Sequence, residues 1–526
     1  MRSGPVRTGA IALALSFVTR LAAAQTPAMP PAPPPPPPPA APDAVPPPPP
    51  APQAAPLPPP PAPAPEPTPP PPAPSAPITL TPLAPPPSPV APPLSIVSSK
   101  FSATFYGFVE FDGIWDSTQS FNESAGNAAI AKQGTFAGSH GRTMFGIRNS
   151  RLGFKFKGPE TDNIKTSAIA EMDFLGNQPQ GSPSPAGSPA VSEASYFTSP
   201  TFRVRHLAFK LETPVVDVLV GQYWQLFGWQ SMFHPNTVEI QGVPGQIYSR
   251  SPQIRVSKTI KTDPVTVEIA LAASRPPQRD SEIPDGQAGI RLSLNGWKGM
   301  HTAGATGSAV DPLSIGFSTV GRYFNVPNLA ASPTKQVSLN GYGYSVDTLL
   351  PIIPATDVNH PDNALTLTGS FVYGQAIADL YTGLSGGAAF PTLPASATGA
   401  AQTYPQDVDN GLVVFTPDGV LHAIRWESFI VGAQYYLPTP TRAWISGNFS
   451  RMHSSDIAAL SAASPSGTPS LAGKTFDTSY WADGNLFVDV NAAVRFGLEY
   501  AYFQQNYLDG TKGKDNRIQF SGFYIF

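Results

Sequence analysis

The chain has 526 residues, 67 of them proline, and a formal net charge of −3 at neutral pH. The absence of cysteine excludes a disulfide scaffold, a thiolate metal site and a cysteine nucleophile. The slightly acidic balance argues against a nucleic-acid binder built on a basic patch. Only 13% of the residues are charged, against about 25% in typical soluble proteins, which disfavours a water-soluble globule.

Residues 1–24 have the organisation of a secretory signal peptide. Arg2 and Arg7 precede an apolar run at 9–18, and alanines at 22–24 follow it. The run is too short to cross the ~30 Å hydrocarbon core of a membrane. We therefore expect export and cleavage before Gln25 rather than a membrane anchor.

Residues 25–100 are dominated by proline. Consecutive prolines fix φ and remove backbone donors, so only polyproline II or disorder is accessible. The sequence predicts a disordered or polyproline II spacer in the periplasm. Whether this spacer reaches the cell wall or another partner, or is merely a tolerated leader, stays open at this point.

From Phe101 onward, apolar and polar side chains alternate with a period of two. Every second residue from Phe101 to Trp115 is apolar or glycine, whereas the other parity carries Glu110 and Asp112. The pattern recurs to the C terminus, with long Gly-, Ser- and Pro-rich connections alternating with short turns. Long strands with one apolar face suit a tilted membrane crossing. The prediction is an all-β domain at 101–526, a 16-stranded antiparallel transmembrane β-barrel preceded by the disordered proline-rich segment, with a soluble sandwich as the alternative.

The predicted strand centres follow the alternation of short and long connections. They lie near residues 109, 150, 169, 206, 220, 256, 268, 291, 317, 341, 369, 430, 447, 485, 498 and 521. An even number of strands places both termini on the short-turn side. The connection 296–311 is long for a turn. The parity is unclear at His206 and across 216–224, where both faces are apolar, which indicates either a subunit contact or a bulge.

Several stretches resemble the bacterial outer-membrane porins, most closely the DcaP-like trimeric porins. In chain order they are 150–155 (SRLGFK), 170–176 (AEMDFLG), 203–207 (RVRHL), 220–224 (VGQYW) and 496–500 (FGLEY). The resemblance implies a homotrimer in the outer membrane of a Gram-negative bacterium, and passage of small anionic solutes such as dicarboxylates. It also implies that the loop after the fifth strand folds inward as a constriction. The ending Tyr524 and Phe526 resembles the signal read by the barrel-assembly machinery.

Transferred to this chain, the constriction loop is 227–252, with His234, Glu239 and Arg250 as its ionisable residues. Strand parity predicts the pore-lining residues Arg151, Lys155, Arg203, Arg205, Arg255, Arg291, Glu171 and Asp173. Positive charges outnumber negative ones on this wall, and an arginine ring lowers the cost of bringing an anion into a narrow pore. The alternative is that the charges neutralise one another in cross-strand pairs, such as Arg495 with Glu499, and only keep the lumen wet.

We therefore expect an outer-membrane porin with no catalytic residues, no cofactor and no metal. The G-x-S-x-G match at 383–387 lacks the strand-to-helix context of a nucleophile elbow, and the seven histidines show no close ligand pair. The expected partners are the lipid bilayer, the other copies of a homotrimer, the barrel-assembly machinery and small solutes, but no nucleic acid. A structural barrel tethered to the cell wall through the proline tract and a barrel-type outer-membrane hydrolase are the alternatives.

Overall fold

The computed structural model describes ten segments of the chain. They are residues 94–98, 100–126, 129–176, 197–239, 241–276, 282–330, 332–382, 411–416, 418–462 and 475–526. The predicted signal peptide, nearly all of the proline-rich segment and the G-x-S-x-G match lie outside the described residues.

The described residues form twenty strands. They are β1 (Leu94–Ser98), β2 (Phe101–Asp116), β3 (Arg142–Gly146), β4 (Arg151–Lys157), β5 (Lys165–Asp173), β6 (Arg203–Glu212), β7 (Asp217–Trp224), β8 (Arg250–Lys261), β9 (Val265–Ser274), β10 (Asp285–Ala303), β11 (Gly307–Pro327), β12 (Gln336–Ile353), β13 (Leu365–Gln375), β14 (Val413–Phe415), β15 (Leu421–Ala423), β16 (Arg425–Tyr436), β17 (Ala443–His453), β18 (Phe476–Asp489), β19 (Val494–Tyr507) and β20 (Lys512–Ile525). A short helix, α1 (Ile457–Ala462), and two 3₁₀ turns, Phe227–Trp229 and Ala378–Leu380, lie in the connections. No helix in this part of the chain is long and apolar enough to span a membrane.

Eighteen of the strands belong to one antiparallel sheet that closes where β20 pairs with β2. β1 only extends the edge of β2, and β3 with β4 occupies a single position beside β2, which leaves sixteen barrel positions. The predicted 16-stranded antiparallel barrel is therefore confirmed. β14 and β15 form a separate hairpin.

The two faces of the wall differ in the way that the alternation predicted. On β20, Ile518 and Phe520 are 45% and 43% exposed on the outside, whereas Arg517 and Gln519 are fully buried inside. A soluble sandwich would bury the apolar face instead. An exposed apolar belt around a polar interior is the arrangement of a barrel whose outer surface contacts lipid.

The connections also alternate between short and long. Turns such as 213–216, 262–264 and 490–493 lie at one end of the barrel, and connections such as 117–141 and 225–249 lie at the other. In outer-membrane barrels the short turns face the periplasm. We call the end with the short turns the periplasmic end.

Three local expectations differ from the structure. The predicted strand centre at residue 150 falls between β3 and β4, where an extra residue interrupts the ladder and turns Arg148 and Asn149 inward. Residues 94–98, placed in the spacer, form β1 because an apolar, β-branched stretch follows the last proline of the tract. The connection expected at 296–311 does not exist as a loop, since β10 and β11 stay paired as far as Ala303 and Gly307.

Candidate pore

The connection 225–249 between β7 and β8 folds into the barrel, and we call it the lumen loop. It is the loop after the fifth barrel position, which the resemblance implied would turn inward. Its tip reaches the opposite wall, where the backbone N–H groups of Val238 and Glu239 donate to Asn485 Oδ1 (3.1 Å) and Glu499 Oε2 (2.8 Å). The Thr237 hydroxyl also donates to Glu499 Oε2 (2.8 Å). The lumen loop therefore crosses the whole interior.

Predicted pore-lining residues meet on one side of this loop. Arg205 donates to Glu171 Oε1 (2.8 Å) and to Asp173 Oδ2 (3.0 Å), and Arg203 donates to Asp173 Oδ2 (2.5 Å). Arg151 lies 3.8 Å from Glu171. All five side chains face the interior from β4, β5 and β6. We refer to Arg151, Arg203, Arg205 and Arg250 as the arginine cluster.

A β-bulge brings an extra arginine into this cluster. Glu171 pairs with His206 and Met172 pairs with Val204, so Arg205 has no partner residue on β5. Both Arg205 and His206 therefore point inward, where they are 1% and 4% exposed. The bulge lies at His206, one of the two places where the parity was unclear, and not in the apolar stretch at 216–224.

Arg250 was predicted as part of the constriction loop, and it is instead the first residue of β8. Its guanidinium stacks over the rings of Trp224 (4.8 Å) and Tyr248 (5.3 Å). Within the described segments Arg250 forms no ion pair, and its buried Nη1 has no hydrogen-bond acceptor. Four guanidinium groups thus face two carboxylates, Glu171 and Asp173, which leaves two positive charges without a local counter-charge.

Two groups of the lumen loop respond to this positive surplus. Burial by itself raises the pKa of Tyr248. The guanidinium groups of Arg205, Arg250 and Arg151 together outweigh this effect and lower the pKa to about 8. Burial, together with the same guanidinium groups, lowers the pKa of His234 to about 3. His234 is therefore neutral near pH 7 and adds nothing to the positive charge that the sequence allowed for it.

The remaining predicted basic residues extend the wall from β4 to β10. Lys155 lies over the ring of Tyr106 at 4.6 Å. Arg255 donates to the backbone oxygen of Trp224 (2.5 Å), and Arg291 forms an ion pair of 2.7 Å with Glu268. These residues and the arginine cluster lie on the inner face of the barrel from β4 to β10, and we call them the basic wall.

No known family model matches the chain, and no curated protein matches its sequence. Among solved structures, the outer membrane channel DcaP of Acinetobacter baumannii superposes with a TM-score of 0.56 and 17% identity, over 82% of this chain and 100% of that chain. The fold is that of an outer-membrane porin. The resemblance to DcaP-like porins is thereby confirmed at the level of the fold, and the exposed apolar belt places the barrel in the outer membrane of a Gram-negative bacterium.

Two further porins superpose less well. The anion-selective porin from Comamonas acidovorans gives a TM-score of 0.44 and 10% identity, covering 81% of this chain and 100% of that one. OmpF of Salmonella typhi gives 0.43 and 9%, covering 82% of this chain and 100% of that one.

The acidic side of this porin barrel, with Glu110 and Asp112 on β2 and Glu499 on β19, adjoins the basic wall where β2 pairs with β4. Glu239 belongs to this side, because its carboxylate lies 3.3 Å from Arg517 on β20. Burial raises the pKa of Glu239 to about 8, although Arg517 acts to lower it. Arg517 also forms an ion pair with Asp116 at 2.7 Å. Strand parity placed Arg517 and Asp116 on the inner face, and the resemblance placed Glu239 in the constriction loop, but neither predicted that these groups would pair.

The cross-strand pair suggested by the sequence is wrong. Glu499 accepts its hydrogen bonds from the lumen loop, whereas Arg495 pairs at 2.6 Å with Asp489, its cross-strand neighbour on β18. Cross-strand neutralisation itself is therefore present, and Arg291 with Glu268 is a second example. The sequence also did not predict that the rings of Trp224 and Tyr248 would hold Arg250, since the two rings lie on different elements. In the described segments, no group of three or more His, Asp or Glu side chains is placed to hold a metal ion.

Proposed function

We propose that the protein is a porin that lets small hydrophilic solutes diffuse passively across the outer membrane, with a preference for anions such as dicarboxylates. The observation that carries this proposal is the arginine cluster. It contains two uncompensated positive charges, and Arg250 offers an Nη1 hydrogen that no acceptor among the described residues takes up. No chemical step is part of this function.

The chemistry of the cluster suits a carboxylate. A planar guanidinium presents two parallel N–H groups to the two oxygens of a carboxylate, which gives both energy and orientation. Low-dielectric walls focus the field of the basic residues into the lumen and raise the local concentration of anions. A solute with two carboxylates would neutralise the two surplus charges, which supports dicarboxylates over monoanions.

We also propose the assembly that the resemblance implied, a homotrimer. The outer surface of β2, β3 and β4 supports it, because it carries a group of exposed phenylalanines. Phe111 and Phe145 stack with ring centroids 5.6 Å apart, and Phe105 lies 5.1 Å from Phe154. Such a surface suits contact with another copy of the chain as well as with lipid. Crosslinking of the purified protein in detergent would show trimers, and a single band at the monomer mass would contradict the proposal.

Two proposals concern the ends of the chain. Residues 1–24 direct export, and 25–93 form a spacer in the periplasm, because β1 and the start of β2 lie at the periplasmic end. Tyr524 and Phe526 form the signal for the barrel-assembly machinery. Deleting residues 26–93 and measuring detergent extraction from intact envelopes tests whether the spacer tethers the barrel, and unchanged extraction would contradict tethering.

The porin proposal is tested in planar bilayers and liposomes. Under a KCl gradient the reversal potential should have the sign of a chloride-preferring pore, and liposomes should swell faster in succinate than in a neutral sugar of similar size. A potassium-preferring reversal potential would overturn the anion preference. Absence of both current and swelling would overturn the porin itself and favour a structural role for the barrel.

A further inference from the structure

The periplasmic half of β10 and β11 leaves the barrel wall. β10 pairs with β9 only as far as Leu294, and β11 pairs with β12 only from Ser314 onward. Between these points, residues 295–312 pair only with each other, and we call them the inner hairpin. The register shifts between Leu294 and Lys298, and such a bulge bends the hairpin away from the direction of the wall.

The inner hairpin reaches across the interior to distant strands. The backbone N–H of Thr302 donates to Gln434 Oε1 (2.8 Å), and Gln434 Nε2 donates back to the Thr302 carbonyl (3.2 Å). Arg495 Nη1 donates to the carbonyl of Ala305 at 2.7 Å. Gln434 lies on β16 and Arg495 on β19, whereas the hairpin starts from β10 and β11. The hairpin therefore extends across the periplasmic end of the lumen.

The inner hairpin and the lumen loop touch each other in the middle of the barrel. The backbone N–H of Gly304 donates to the carbonyl of Pro235 (3.1 Å), and Asn236 Nδ2 donates to the carbonyl of Gly304 (2.7 Å). Apolar side chains pack around this contact. The buried members of the group include Met300, Ala305, Val238, Phe108, Phe487 and Phe523. A loop from the outer end and a hairpin from the periplasmic end thus close the same part of the lumen.

This contact lies beside the acidic side, because the lumen loop bonds Glu499 and the apolar group includes Phe523, the cross-strand neighbour of Glu110. Glu110 and Asp112 on β2 are fully buried, and Glu499 on β19 is 1% exposed. On the basic wall, by contrast, the side chains of Arg151 and Arg203 are 18% and 28% exposed. Water, and therefore solute, has access to the basic wall, while carboxylates that would attract cations are covered.

We propose that the inner hairpin is a selectivity element of the pore. By packing against the lumen loop it keeps the acidic side out of the solute path and confines permeation to the basic wall. The anion preference then depends on which charges are covered, as well as on which charges the wall contains. This inference rests on the proposed porin function.

The first test replaces residues 295–312 by Asn-Gly, because Leu294 and Leu313 face each other directly and a two-residue turn can join them. In planar bilayers the variant should conduct more, and its reversal potential in a KCl gradient should move toward that of a cation-preferring pore. Gln434→Ala should give a smaller shift in the same direction. Gln504→Ala, the same change on the outer face of β19, is the matched control and should behave as the native protein.

The second test measures the solvent accessibility of the acidic side by chemical labelling, independently of any current measurement. The native chain has no cysteine, so Glu110→Cys introduces a single thiol at a position whose side chain is fully buried. A charged methanethiosulfonate should label it slowly in the native background and quickly when the hairpin is removed. Arg291→Cys, on the basic wall, should be labelled in both backgrounds.

The outcomes separate the inference from the function on which it rests. A native protein that conducts no ions refutes the porin proposal, and one that prefers cations refutes its anion preference. A native protein that prefers anions, with unchanged selectivity and unchanged Glu110→Cys labelling after hairpin removal, refutes the inference alone. If the deletion variant does not assemble, the reversal potentials of Gln434→Ala and Gln504→Ala are compared instead. Identical values would refute the role of the hairpin.

Discussion

Substituting Arg250 by glutamine tests whether the arginine cluster attracts anions. Arg250→Gln removes one of the two surplus positive charges and keeps a planar group that can stay on the ring of Trp224. The other arginines of the cluster each lie beside Glu171 or Asp173, so their removal would leave a carboxylate without its partner, a costly change. Arg250 has no such partner among the described residues, and we expect the variant to fold normally.

The size of the effect follows from Coulomb's law. A carboxylate ~5 Å from a guanidinium gains ~0.8 kcal/mol at the dielectric constant of water and ~3.3 kcal/mol at an effective value near 20. The exposure of Arg203 and Arg151 shows that the cluster is partly hydrated, so a loss of about 1–2 kcal/mol is reasonable. Because about 1.4 kcal/mol corresponds to a factor of ten, dicarboxylate affinity should fall roughly five- to thirtyfold.

The assay is block of the chloride current through single channels by added succinate. Arg250→Gln should raise the half-blocking concentration by the factor above, and it should reduce the anion preference of the reversal potential. Arg451→Gln is the control, because Arg451 carries the same charge on the outer face of β17. If the two variants are blocked at the same succinate concentration, the arginine cluster is not the anion site.

Three further outcomes are expected. Raising the pH from 7 to 9 should weaken the anion preference, because Tyr248, with a pKa of about 8, gains a negative charge beside the arginine cluster. Tyr248→Phe should remove that pH step, and a step that persists would assign it to another group. Arg517→Met leaves Asp116 and Glu239 buried without their partner, so the free energy of unfolding in lipid vesicles should fall by about 3–5 kcal/mol; an unchanged urea midpoint would contradict this. Deleting Phe526 should lower the amount of heat-modifiable barrel in the outer membrane, and normal amounts would show that the C-terminal residue is not part of the assembly signal.

The alternation of side chains was sufficient to predict the wall of the barrel. A residue that faces lipid must be apolar and its neighbour must face water. The alternating pattern therefore shows both where a strand lies and which of its faces points outward. The final strand, with Ile518 and Phe520 outside and Arg517 inside, illustrates this directly. Where a bulge adds a residue, the alternation breaks. For that reason the sequence predicted one strand centred near residue 150, whereas Arg148 and Asn149 lie between the two strands β3 and β4.

The inner hairpin could not be predicted in the same way. Residues 295–312 are rich in glycine and alanine, and neither face has to contact lipid, so no alternation marks them as strands. Their stability comes from hydrogen bonds to Gln434 and Arg495, which are more than a hundred residues away in the chain. The composition of such a segment is that of a loop, and only its tertiary contacts make it a hairpin.

The charge of the pore shows most clearly what parity leaves out. Parity assigns Glu110, Asp112 and Arg151 to the same interior face, and a count then gives each of them equal weight. In the folded barrel the two carboxylates are fully buried beneath loops, while the guanidinium keeps contact with water. A charge acts on a passing ion in proportion to its proximity and to the lack of screening between them. The selectivity of this lumen therefore depends on the loops that cover one wall as much as on the residues of the other, and those loops are the part of the chain that alternation does not describe.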